Sequence, residues 1–466
     1  MKSKRAKPLH ALCGRPMIDH VLATVAYLEP ERTVVVVGRD ADGVRERLGE
    51  GVEAVEQTEQ LGTGHAAMCA AQGLADLQGD VVVTCADIPL LTAETLRGLI
   101  EHHRAEGAAA TILTTEPEDA TGYGRIVRDQ DGTVTAIVEH RDADEETRRI
   151  REINTSIYCF DAQALFAALE RVRPVNAQGE YYLTDVIAVL VAEGKPVRAL
   201  IAPDADEVMG VNDRVQLAQA ERIARDRIRE RLMLDGVTLI DPSATFIDAG
   251  VRVGRDTIIY PGAQLLGNTT VGEDCTLGGG VTLRDATLGD GVLLRDSTVI
   301  SESSIGSGSK VGPFTYVREG SEVGEGCKLG SSAEVNRSRL GTGSKMQHFS
   351  YLGDAEIGAN CNIGAGVVTC NYDGLEKHRT VVEDEVFIGS DAILVAPVRV
   401  GKGAYVAAGS VITKDIPAGA LGVSRTAQKN LEGWVERWHR RRERKSGDTI
   451  THFPSEDEPG TDLERK

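Results

Sequence analysis

The segment SIGSGSKVGPFTYVREGSEVGEGCKLG, residues 304–330, decides the fold of the C-terminal half of this chain. An aliphatic residue followed by glycine recurs in it at Ile305, Val311, Val323 and Leu329, so every spacing is six residues or a multiple of six. This period fits neither an isolated helix nor a hairpin. It is typical of a parallel β-helix, in which one aliphatic residue per hexad points inward and a small residue turns the corner. We therefore predict a solenoid.

Aliphatic-glycine pairs extend this pattern from Val253 to Gly401, and the register slips at three places. The slips lie at residues 329–340, 352–357 and 363–388. Such slips indicate insertions that leave the stack intact, and insertions in repeat proteins map to loops on the binding face. The last of them encloses a polar segment, residues 369–378, among apolar hexads.

The N-terminal half alternates short β-branched runs with helical stretches. Residues 33–38 and 80–85 are continuous apolar runs, which are typical of buried parallel strands, and residues 108–114 predict a further strand. Strands that alternate with helices indicate an α/β doubly wound domain. Residues 216–234 are rich in Ala, Arg, Glu and Leu and predict one helix that joins the two halves.

These patterns divide the chain into four segments. We predict a first domain over residues 1–213, a linker helix over 214–234, a solenoid over 235–424 and a C-terminal extension over 425–466. Residues 432–444 predict an amphipathic helix that either covers the open end of the solenoid or contacts a ligand. We expect disorder over residues 446–466, which are polar with few large apolar groups.

Composition excludes several classes of protein. The formal net charge of −19 argues against general nucleic-acid binding, although a few local cations could still hold an anionic small substrate. Salt adaptation of the host would explain this acidity equally well. Eight cysteines are scattered without metal-ligand spacing, which favours free thiols over zinc or disulfides. No apolar run is long enough to span a bilayer and no signal-peptide core is present, so we expect a cytoplasmic protein that does not bind a membrane.

Two segments of the first domain favour nucleotide chemistry. Asp87 follows a predicted buried strand, at the sheet edge where doubly wound domains bind ligands, and a carboxylate there suits Mg²⁺ bridging nucleotide phosphates. The alternative is that Asp87 caps the helix that starts near Thr92. Residues 57–65, QTEQLGTGH, form a glycine-bearing turn before a helix, which could bring backbone amides against a base or a phosphate.

Together these segments closely resemble the bifunctional family that joins N-acetylglucosamine-1-phosphate uridylyltransferase to glucosamine-1-phosphate N-acetyltransferase. The resemblance runs from Lys7 to Arg425 and rests on motifs found in the family's order. These are QTEQLGTGHA (57–66), ADIPL (86–90), TGYGRI (121–126), IVEHRDA (137–143), EINTSIY (152–158), NAQGEYYLTD (176–185), GVND (210–213), GPFTYVR (312–318), HFSYLGDAEIG (348–358), NIGAGVVTCNYDG (362–374) and AAGSVIT (407–413). It implies a nucleotidyltransferase domain followed by a left-handed parallel β-helix of hexapeptide repeats.

The resemblance also implies a set of residues for uridylyl transfer from UTP to N-acetylglucosamine-1-phosphate. Metal ligands for Mg²⁺ would be Asp87 and Asn212. Residues that bind UTP or the UDP-sugar would be Lys7, Gln57, Gly62, Thr63, Gly124, Glu139, Asn154, Thr184 and Asn212. In this reaction the sugar phosphate attacks the α-phosphorus of UTP and pyrophosphate leaves, so the protein acts by positioning and by neutralising charge.

In the solenoid we expect His348 to act as the general base for acetyl transfer, because the attacking amine must be deprotonated and an imidazole suits that task. Residues implied for glucosamine-1-phosphate are Arg318, Asn336, Tyr351, Asn362, Asn371 and Lys377. Residues implied for acetyl-CoA are Ala365, Ser390, Ala408 and Arg425. The resemblance further implies a homotrimer, because family acetyl-CoA sites lie between adjacent solenoids, and a product that feeds cell-wall and outer-membrane polysaccharide synthesis.

Two departures from the family pattern affect these expectations. The family begins with a strand and a glycine-rich loop ending in Gly-Thr-Arg-Met, to whose last residue Met1 corresponds, so we interpret the start as placed too far downstream and expect little uridylyltransferase activity. The family's lysine at the sugar phosphate is Asn336 here, and we expect weaker binding of glucosamine-1-phosphate. Arg337 should not compensate, because neighbouring side chains on a strand point to opposite faces.

Three functions are therefore compared. The first is the bifunctional enzyme of UDP-N-acetylglucosamine synthesis. The second is an acetyltransferase alone, with a relic N-terminal domain. The third is a non-catalytic assembly or sensor protein that binds sugar nucleotides, against which His348, Lys377 and Arg425 argue.

Overall fold

A computed structural model describes residues 1–38, 42–74 and 77–446, with the side chains of residues 443–446 excepted. The disorder expected over residues 446–466 therefore falls almost entirely outside the described residues.

The first domain contains ten strands and seven helices among the described residues. The strands are β1 (Ala11–Leu12), β2 (Arg15–Pro16), β3 (Thr33–Val37), β4 (Val52–Glu56), β5 (Asp80–Val83), β6 (Ala110–Thr115), β7 (Arg125–Arg128), β8 (Val134–Val138), β9 (Ile153–Asp161) and β10 (Val197–Ile201). The α-helices are α1 (Met17–Ala26), α2 (Asp42–Arg45), α3 (Thr63–Ala71), α4 (Ala93–Ala105), α5 (Glu145–Arg148), α6 (Ala162–Leu169) and α7 (Asp185–Ala192). Short 3₁₀-helices span Lys7–Leu9 and Ala205–Val208.

The main sheet of this domain has six strands in mixed orientation. The order is β10-β6-β9-β7-β8, and β5 pairs with the other edge of β9. The long strand β9 runs antiparallel to β5, β6 and β7, so the prediction that residues 80–85 form a strand with parallel neighbours is wrong in its direction. Helices α6 and α7 pack their buried aliphatic side chains on this sheet and complete the core.

Strands β3 and β4 form a separate parallel pair. Among the described residues no strand joins β3 to β5, although both are continuous apolar runs. Most side chains of the two strands are only half-buried. Strands of this composition normally lie buried in the middle of a sheet. In the predicted doubly wound domain β3 and β5 would belong to one sheet, whereas here they lie in two separate sheets.

The predicted solenoid is confirmed as a left-handed parallel β-helix with three faces, here called the first, second and third faces. Strands of the first face are Thr238–Leu239, Ile258–Ile259, Thr276–Leu277, Leu293–Leu294, Lys310–Val311, Lys328–Leu329, Lys345–Met346, Asn362–Ile363, Phe387–Ile388, Tyr405–Val406 and Leu421–Gly422. Strands of the second face are Phe246–Ile247, Gln264–Leu266, Thr282–Arg284, Val299–Ser301, Tyr316–Val317, Ala333–Asn336, Ser350–Gly353, Val368–Cys370, Ile393–Val395 and Val411–Ile412. Strands of the third face are Arg252–Val253, Thr270–Val271, Thr287–Leu288, Ser304–Ile305, Glu322–Val323, Arg339–Leu340, Ala355–Ile357, Thr380–Val382 and Val398–Val400.

Three hexads make one coil, so residues eighteen apart stack where no residue is inserted. Val311 pairs with Leu329 on the first face and Ile305 pairs with Val323 on the third. All four side chains are at most 3% exposed. Glycine is required at a corner such as Gly306, where a Cβ atom would lie 2.6 Å from the backbone nitrogen of Glu325 on the next coil. The hexad pattern is thus the pattern of the solenoid core.

Helix α8 (Arg214–Leu234) connects the halves over the range predicted for the linker helix, and it begins two residues before the segment rich in Ala, Arg, Glu and Leu. Asp213 caps it by accepting from the backbone of Val215 and Gln216 at 2.8 Å. Its apolar face joins Leu12 of the first domain to the first coils of the solenoid in one continuous core. The Arg225 guanidinium also lies 4.6 Å above the Phe246 ring, and these contacts fix the first domain against the open end of the solenoid.

Helix α9 (Trp434–Ser446) forms near the predicted position, but it does not cover the other open end. Trp434 and Trp438 stack on each other and remain 50% and 40% exposed. The prediction of a covering helix is therefore wrong for the single chain.

All eight cysteines are free, as predicted. Across the described residues, every helix is too short or too polar to cross a membrane.

Candidate active sites

Lys7, Asp87 and Asn212 meet at one point, although they are distant in the sequence. The Lys7 ammonium donates to the Asp87 carboxylate and, at 2.6 Å, to Asn212 Oδ1. The backbone nitrogen of Val211 donates to the Asp87 carbonyl at 2.8 Å and holds the two segments together. Asp87 does not cap helix α4, because Thr92 accepts the capping hydrogen bond from Thr95. The alternative role for Asp87 is therefore wrong.

This cluster fits a hard cation. Two oxygen atoms, from a carboxylate and an amide, already converge on one ammonium group, and both are ligands that Mg²⁺ accepts. In the described part of the chain no three His, Cys, Asp or Glu side chains gather to hold a metal. Mg²⁺ is commonly bound by one or two protein ligands together with phosphates and water, so a nucleotide would complete its coordination.

Gln57, Gly62 and Thr63 lie together at the start of helix α3. Gln57 Nε2 donates to the Gly62 carbonyl at 3.0 Å, and Thr63 Oγ1 accepts from the backbone of Leu183 at 3.1 Å. Gly62 has a φ of 106°, and a Cβ atom there would lie 2.5 Å from the Tyr181 carbonyl. Only glycine allows this close approach, so the turn and the 180–184 segment form one surface.

The resemblance implies Gly124, Glu139, Asn154 and Thr184 for the amino sugar, and these four residues lie close together. Thr184 Oγ1 donates to Glu139 Oε1 at 3.5 Å, and the Asn154 backbone donates to the Gly124 carbonyl at 2.9 Å. A Cβ atom on Gly124 would lie 3.3 Å from Glu139 Oε1, so this glycine leaves room beside the carboxylate. Burial raises the pKa of Glu139 above its usual value, and a carboxyl group perturbed in this way is a candidate for a functional site.

His348 and the acetyl-CoA candidates lie on one corner of the solenoid, between the first and second faces. Gly366 N donates to the Phe349 carbonyl, Asp391 N to the Ala365 carbonyl and Gly409 N to the Ser390 carbonyl, at 2.7, 2.7 and 2.8 Å. Each bond joins one coil to the next. At the end of this series Arg425 Nη1 donates to the Ala408 carbonyl at 3.0 Å.

This corner, named here the His348 corner, extends over four coils from His348 to Ala408. Neighbouring strands are about 4.8 Å apart, so the strip is about 14 Å long. The His348 side chain is exposed. A narrow strip with an exposed imidazole at one end and a guanidinium at the other matches an elongated ligand with a reactive group and a charged group.

A second cluster lies at the corner between the second and third faces. Arg337 donates from Nε and Nη2 to Asp354 at 2.9 and 3.0 Å and from Nη1 to Asn336 Oδ1 at 3.1 Å. Asn371 donates its amide to the same Asp354 carboxylate. The hydrogen bonds from Arg337 lower the pKa of Asp354, with Asn371 and Lys377 acting in the same direction. We call Asn336, Arg337, Asp354 and Asn371 the Arg337 cluster.

The expectation that Arg337 points away from Asn336 is wrong. Arg337 has a φ of 46°, because it follows the strand Ala333–Asn336 and begins the turn to the third face. Alternation of side chains holds within an extended strand and not at such a corner. Sequence reasoning had no signal for the role of Asp354, whose position opposite Arg337 depends on the coil-to-coil register.

The other residues implied for glucosamine-1-phosphate lie at different places on the solenoid. Arg318 forms an ion pair with Glu334 at 3.1 Å, and Glu334 pairs with Tyr351 across the second face. Lys377 lies in the inserted segment, where it forms an isolated antiparallel β-bridge with Tyr372. Asn362 lies on the first face, so in the single chain it is on a different side of the coil from Asn371.

Three families match this chain in order. One described as "Nucleotidyl transferase" matches residues 2–210, one described as "GMPPB C-terminal domain" matches 243–339, and one described as "Bacterial transferase hexapeptide (six repeats)" matches 379–414. Among curated proteins, the "Bifunctional protein GlmU" of Geobacillus thermodenitrificans (strain NG80-2) is 50% identical over 437 residues, 94% of this chain and 95% of that protein. The proteins of the same name from Geobacillus sp. (strain WCH70) and Trichlorobacter lovleyi (strain ATCC BAA-1151 / DSM 17278 / SZ) are 51% and 48% identical over 94% and 93% of this chain and 95% of each relative.

Proposed function

This chain belongs to the family of the bifunctional GlmU proteins, with a nucleotidyltransferase unit joined to a hexapeptide-repeat unit, and from that membership we propose its two reactions. The solenoid transfers an acetyl group from acetyl-CoA to the amine of glucosamine-1-phosphate. The first domain then transfers a uridylyl group from UTP to the resulting N-acetylglucosamine-1-phosphate. The final product is UDP-N-acetylglucosamine.

The His348 corner is the observation that carries the acetyl-transfer proposal. Acetyl-CoA would lie along Ala365, Ser390 and Ala408, with Arg425 at the end distant from His348. Small residues at Ala365 and Ala408 leave room for a ligand close to the backbone. A backbone amide or a side-chain donor at this corner would stabilise the oxyanion of the tetrahedral intermediate.

His348 would act on the amine. It accepts a proton as the amine nitrogen forms the new amide bond to the acetyl carbon, and the carbon–sulfur bond of the thioester then breaks. The thiolate of CoA leaves and takes up a proton. The sugar phosphate would be held by Arg318, Tyr351 and the Arg337 cluster, whose hydrogen bonds fix its orientation relative to the imidazole.

In the first domain, binding and orientation account for the proposed uridylyl transfer. Gln57, Gly62 and Thr63 would contact the uracil end of UTP, and the Glu139 pocket would hold the amino sugar. Asp87 and Asn212 would hold Mg²⁺, which neutralises charge on the phosphates when it is bound. Lys7 would then pair with a phosphate in place of its present contacts.

The finer assignments are also proposals. We propose a cytoplasmic enzyme that assembles as a homotrimer, without nucleic-acid or membrane partners. The stacked rings of Phe387 and Tyr405, which are 42% and 55% exposed on the first face, support burial of this face against another solenoid. Sedimentation analysis should give the mass of three chains, and the mass of one chain would contradict the trimer.

An acetyltransferase without uridylyl transfer remains the second candidate, because the sheet of the first domain is divided between β3 and β5. Product analysis separates the two. The chain should be incubated with glucosamine-1-phosphate, acetyl-CoA, UTP and Mg²⁺, and each component omitted in turn. UDP-N-acetylglucosamine is expected from the bifunctional enzyme. Accumulation of N-acetylglucosamine-1-phosphate alone would favour the second candidate, and no acetylated product would contradict both.

A further inference from the structure

A cavity of about 490 Å³ opens on the first domain beside strand β7. It is lined by residues 117–121, residues 148–151 and Arg125. Four of the lining residues are arginines: Arg125, Arg148, Arg149 and Arg151. None of the residues assigned above to uridylyl or acetyl transfer lines it.

Arg125 is the unusual member of this set, because it is only 2% exposed. Its Nη1 donates to the Tyr123 carbonyl, but its buried Nε has no hydrogen-bond partner among the described residues. Burial lowers the pKa of Arg125, while Asp119 acts in the opposite direction from beyond ion-pair distance. A buried guanidinium is normally paired with an anion, since desolvation of an unpaired charge is unfavourable.

Positive charges outnumber negative charges around the cavity, so its other lining residues also favour an anion. Within the described residues, none of the four arginines lies within ion-pair distance of a carboxylate. Arg148 donates to the His140 carbonyl at 3.3 Å, and its charge also helps to lower the pKa of Asp144. The lining contains two carboxylates, Glu118 and Asp119. Asp119 is already engaged by the backbone of Thr121 at 2.9 Å. This excess of cations occurs in a chain whose net charge is −19.

We propose that this cavity binds a small polyanion of the phosphate class, such as a di- or triphosphate group. Guanidinium groups donate paired hydrogen bonds to phosphate oxygens, and several of them together favour a ligand with more than one negative charge. The volume exceeds what a single phosphate fills. The exposed guanidiniums of Arg148, Arg149 and Arg151 supply the donors, and the buried charge of Arg125 adds to the attraction for an anion. Because Arg125 directly follows Gly124, such a ligand would lie beside the strand that borders the amino-sugar pocket.

Calorimetric titration of the full chain with inorganic tripolyphosphate tests this site. The probe should bind the unaltered protein and raise its melting temperature. In the double variant Arg149→Ala/Arg151→Ala the affinity should fall at least about tenfold, because two charge-assisted contacts are lost. The matched control Arg97→Ala/Arg222→Ala removes the same charge from exposed positions elsewhere and should leave binding unchanged.

A comparison with a variant of the proposed uridylyl site shows which site holds the bound ion. Lys7→Ala weakens phosphate binding at the proposed uridylyl site and should leave the tripolyphosphate affinity of this cavity unaltered. If binding is lost in Lys7→Ala but retained in Arg149→Ala/Arg151→Ala, the ion is at the catalytic site and the proposal is wrong. Absence of binding to the unaltered protein, or an equal loss in the control, would also overturn it. These outcomes do not depend on either transferase activity.

Discussion

Asp354 accepts two hydrogen bonds from Arg337, at 2.9 Å from Nε and 3.0 Å from Nη2, and thereby holds a guanidinium at the corner where the proposed sugar phosphate binds. A guanidinium has five N–H donors, of which three are used here, on Asp354 and Asn336. Two remain for a phosphate. Arg337 can therefore donate hydrogen bonds from a charged group to the phosphate in place of the absent lysine, although Asp354 balances part of its charge.

Arg337→Ala should raise the KM for glucosamine-1-phosphate about 10- to 150-fold, since a hydrogen bond to a charged group contributes about 1.5–3 kcal/mol. The KM for acetyl-CoA should not change. Steady-state acetylation of glucosamine, which lacks the phosphate, should be affected little, and this comparison separates phosphate binding from a general structural role. Arg339→Ala, on the exposed third face, is the control. Equal losses for both sugars would contradict the assignment.

Asn336→Lys tests the same corner by adding a cation instead of removing one. If Asn336 weakens phosphate binding, the lysine should lower the KM for glucosamine-1-phosphate. The effect should be larger in an Arg337→Ala background, because a single cation then serves the phosphate. An unchanged KM in both backgrounds would show that this corner does not contact the phosphate.

Glu139→Gln should stabilise the protein in a pH-dependent way. Burial raises the pKa of folded Glu139 above its ordinary value of 4.5, so its ionisation opposes folding once the pH exceeds that value. Glutamine removes this penalty. The gain in melting temperature should therefore be larger at pH 8 than at pH 4, whereas Glu101→Gln, on an exposed helix surface, should show no such difference. A gain independent of pH would contradict burial of the charge.

Lys7→Ala should strengthen metal binding in the absence of nucleotide. The ammonium of Lys7 occupies the point where Asp87 and Asn212 converge, and a unit positive charge about 4 Å from a divalent cation is repelled by about 2 kcal/mol in water. Mn²⁺ affinity, measured by electron paramagnetic resonance, should rise about thirtyfold. Lys4→Ala, an exposed neighbour, serves as the control. Weaker binding by Lys7→Ala would show that the ammonium does not compete with the cation.

Gly62→Ala should destabilise the turn before helix α3 by about 1–3 kcal/mol of backbone strain, with an additional cost from contact with Tyr181. Gly51→Ala provides the comparison, because Gly51 also has a positive φ, of 81°, but no atom lies within 4 Å of the added methyl group. The melting temperature should fall further for Gly62→Ala. The same variant should raise the KM for UTP, and equal melting temperatures for the two variants would contradict the close approach.

Much of the fold could be predicted from local patterns. The hexad period specifies which residues point inward, so Ile305, Val311, Val323 and Leu329 were predicted as core and are buried. The linker helix could be predicted because residues 216–234 are rich in Ala, Arg, Glu and Leu and contain few helix breakers. The direction of β5 was not predictable, since an apolar run is compatible with a parallel or an antiparallel neighbour and its partner β9 lies about seventy residues away.

The candidate sites were predicted less completely. Motifs located Lys7, Asp87 and Asn212, and the structure brings them together. In the Arg337 cluster, Asn336 and Asn371 were predicted as candidates, whereas the contacts of Arg337 with Asn336 and Asp354 were not. These contacts depend on one backbone torsion at a corner, where strand alternation gave the wrong orientation. The exposed position of helix α9 was missed for a different reason. An amphipathic sequence indicates that one face will be covered but does not indicate by what.

The most direct test of the central claim is the rate of acetyl transfer by His348→Ala. His102→Ala, in the first domain, is the matched control, and circular dichroism should confirm that the solenoid remains folded in both. We predict that kcat for acetylation of glucosamine-1-phosphate falls about 10²- to 10⁴-fold in His348→Ala, as expected for loss of a general base, and is unchanged in His102→Ala. A folded His348→Ala protein that acetylates at the original rate would contradict the assignment of the His348 corner as the acetyltransferase site.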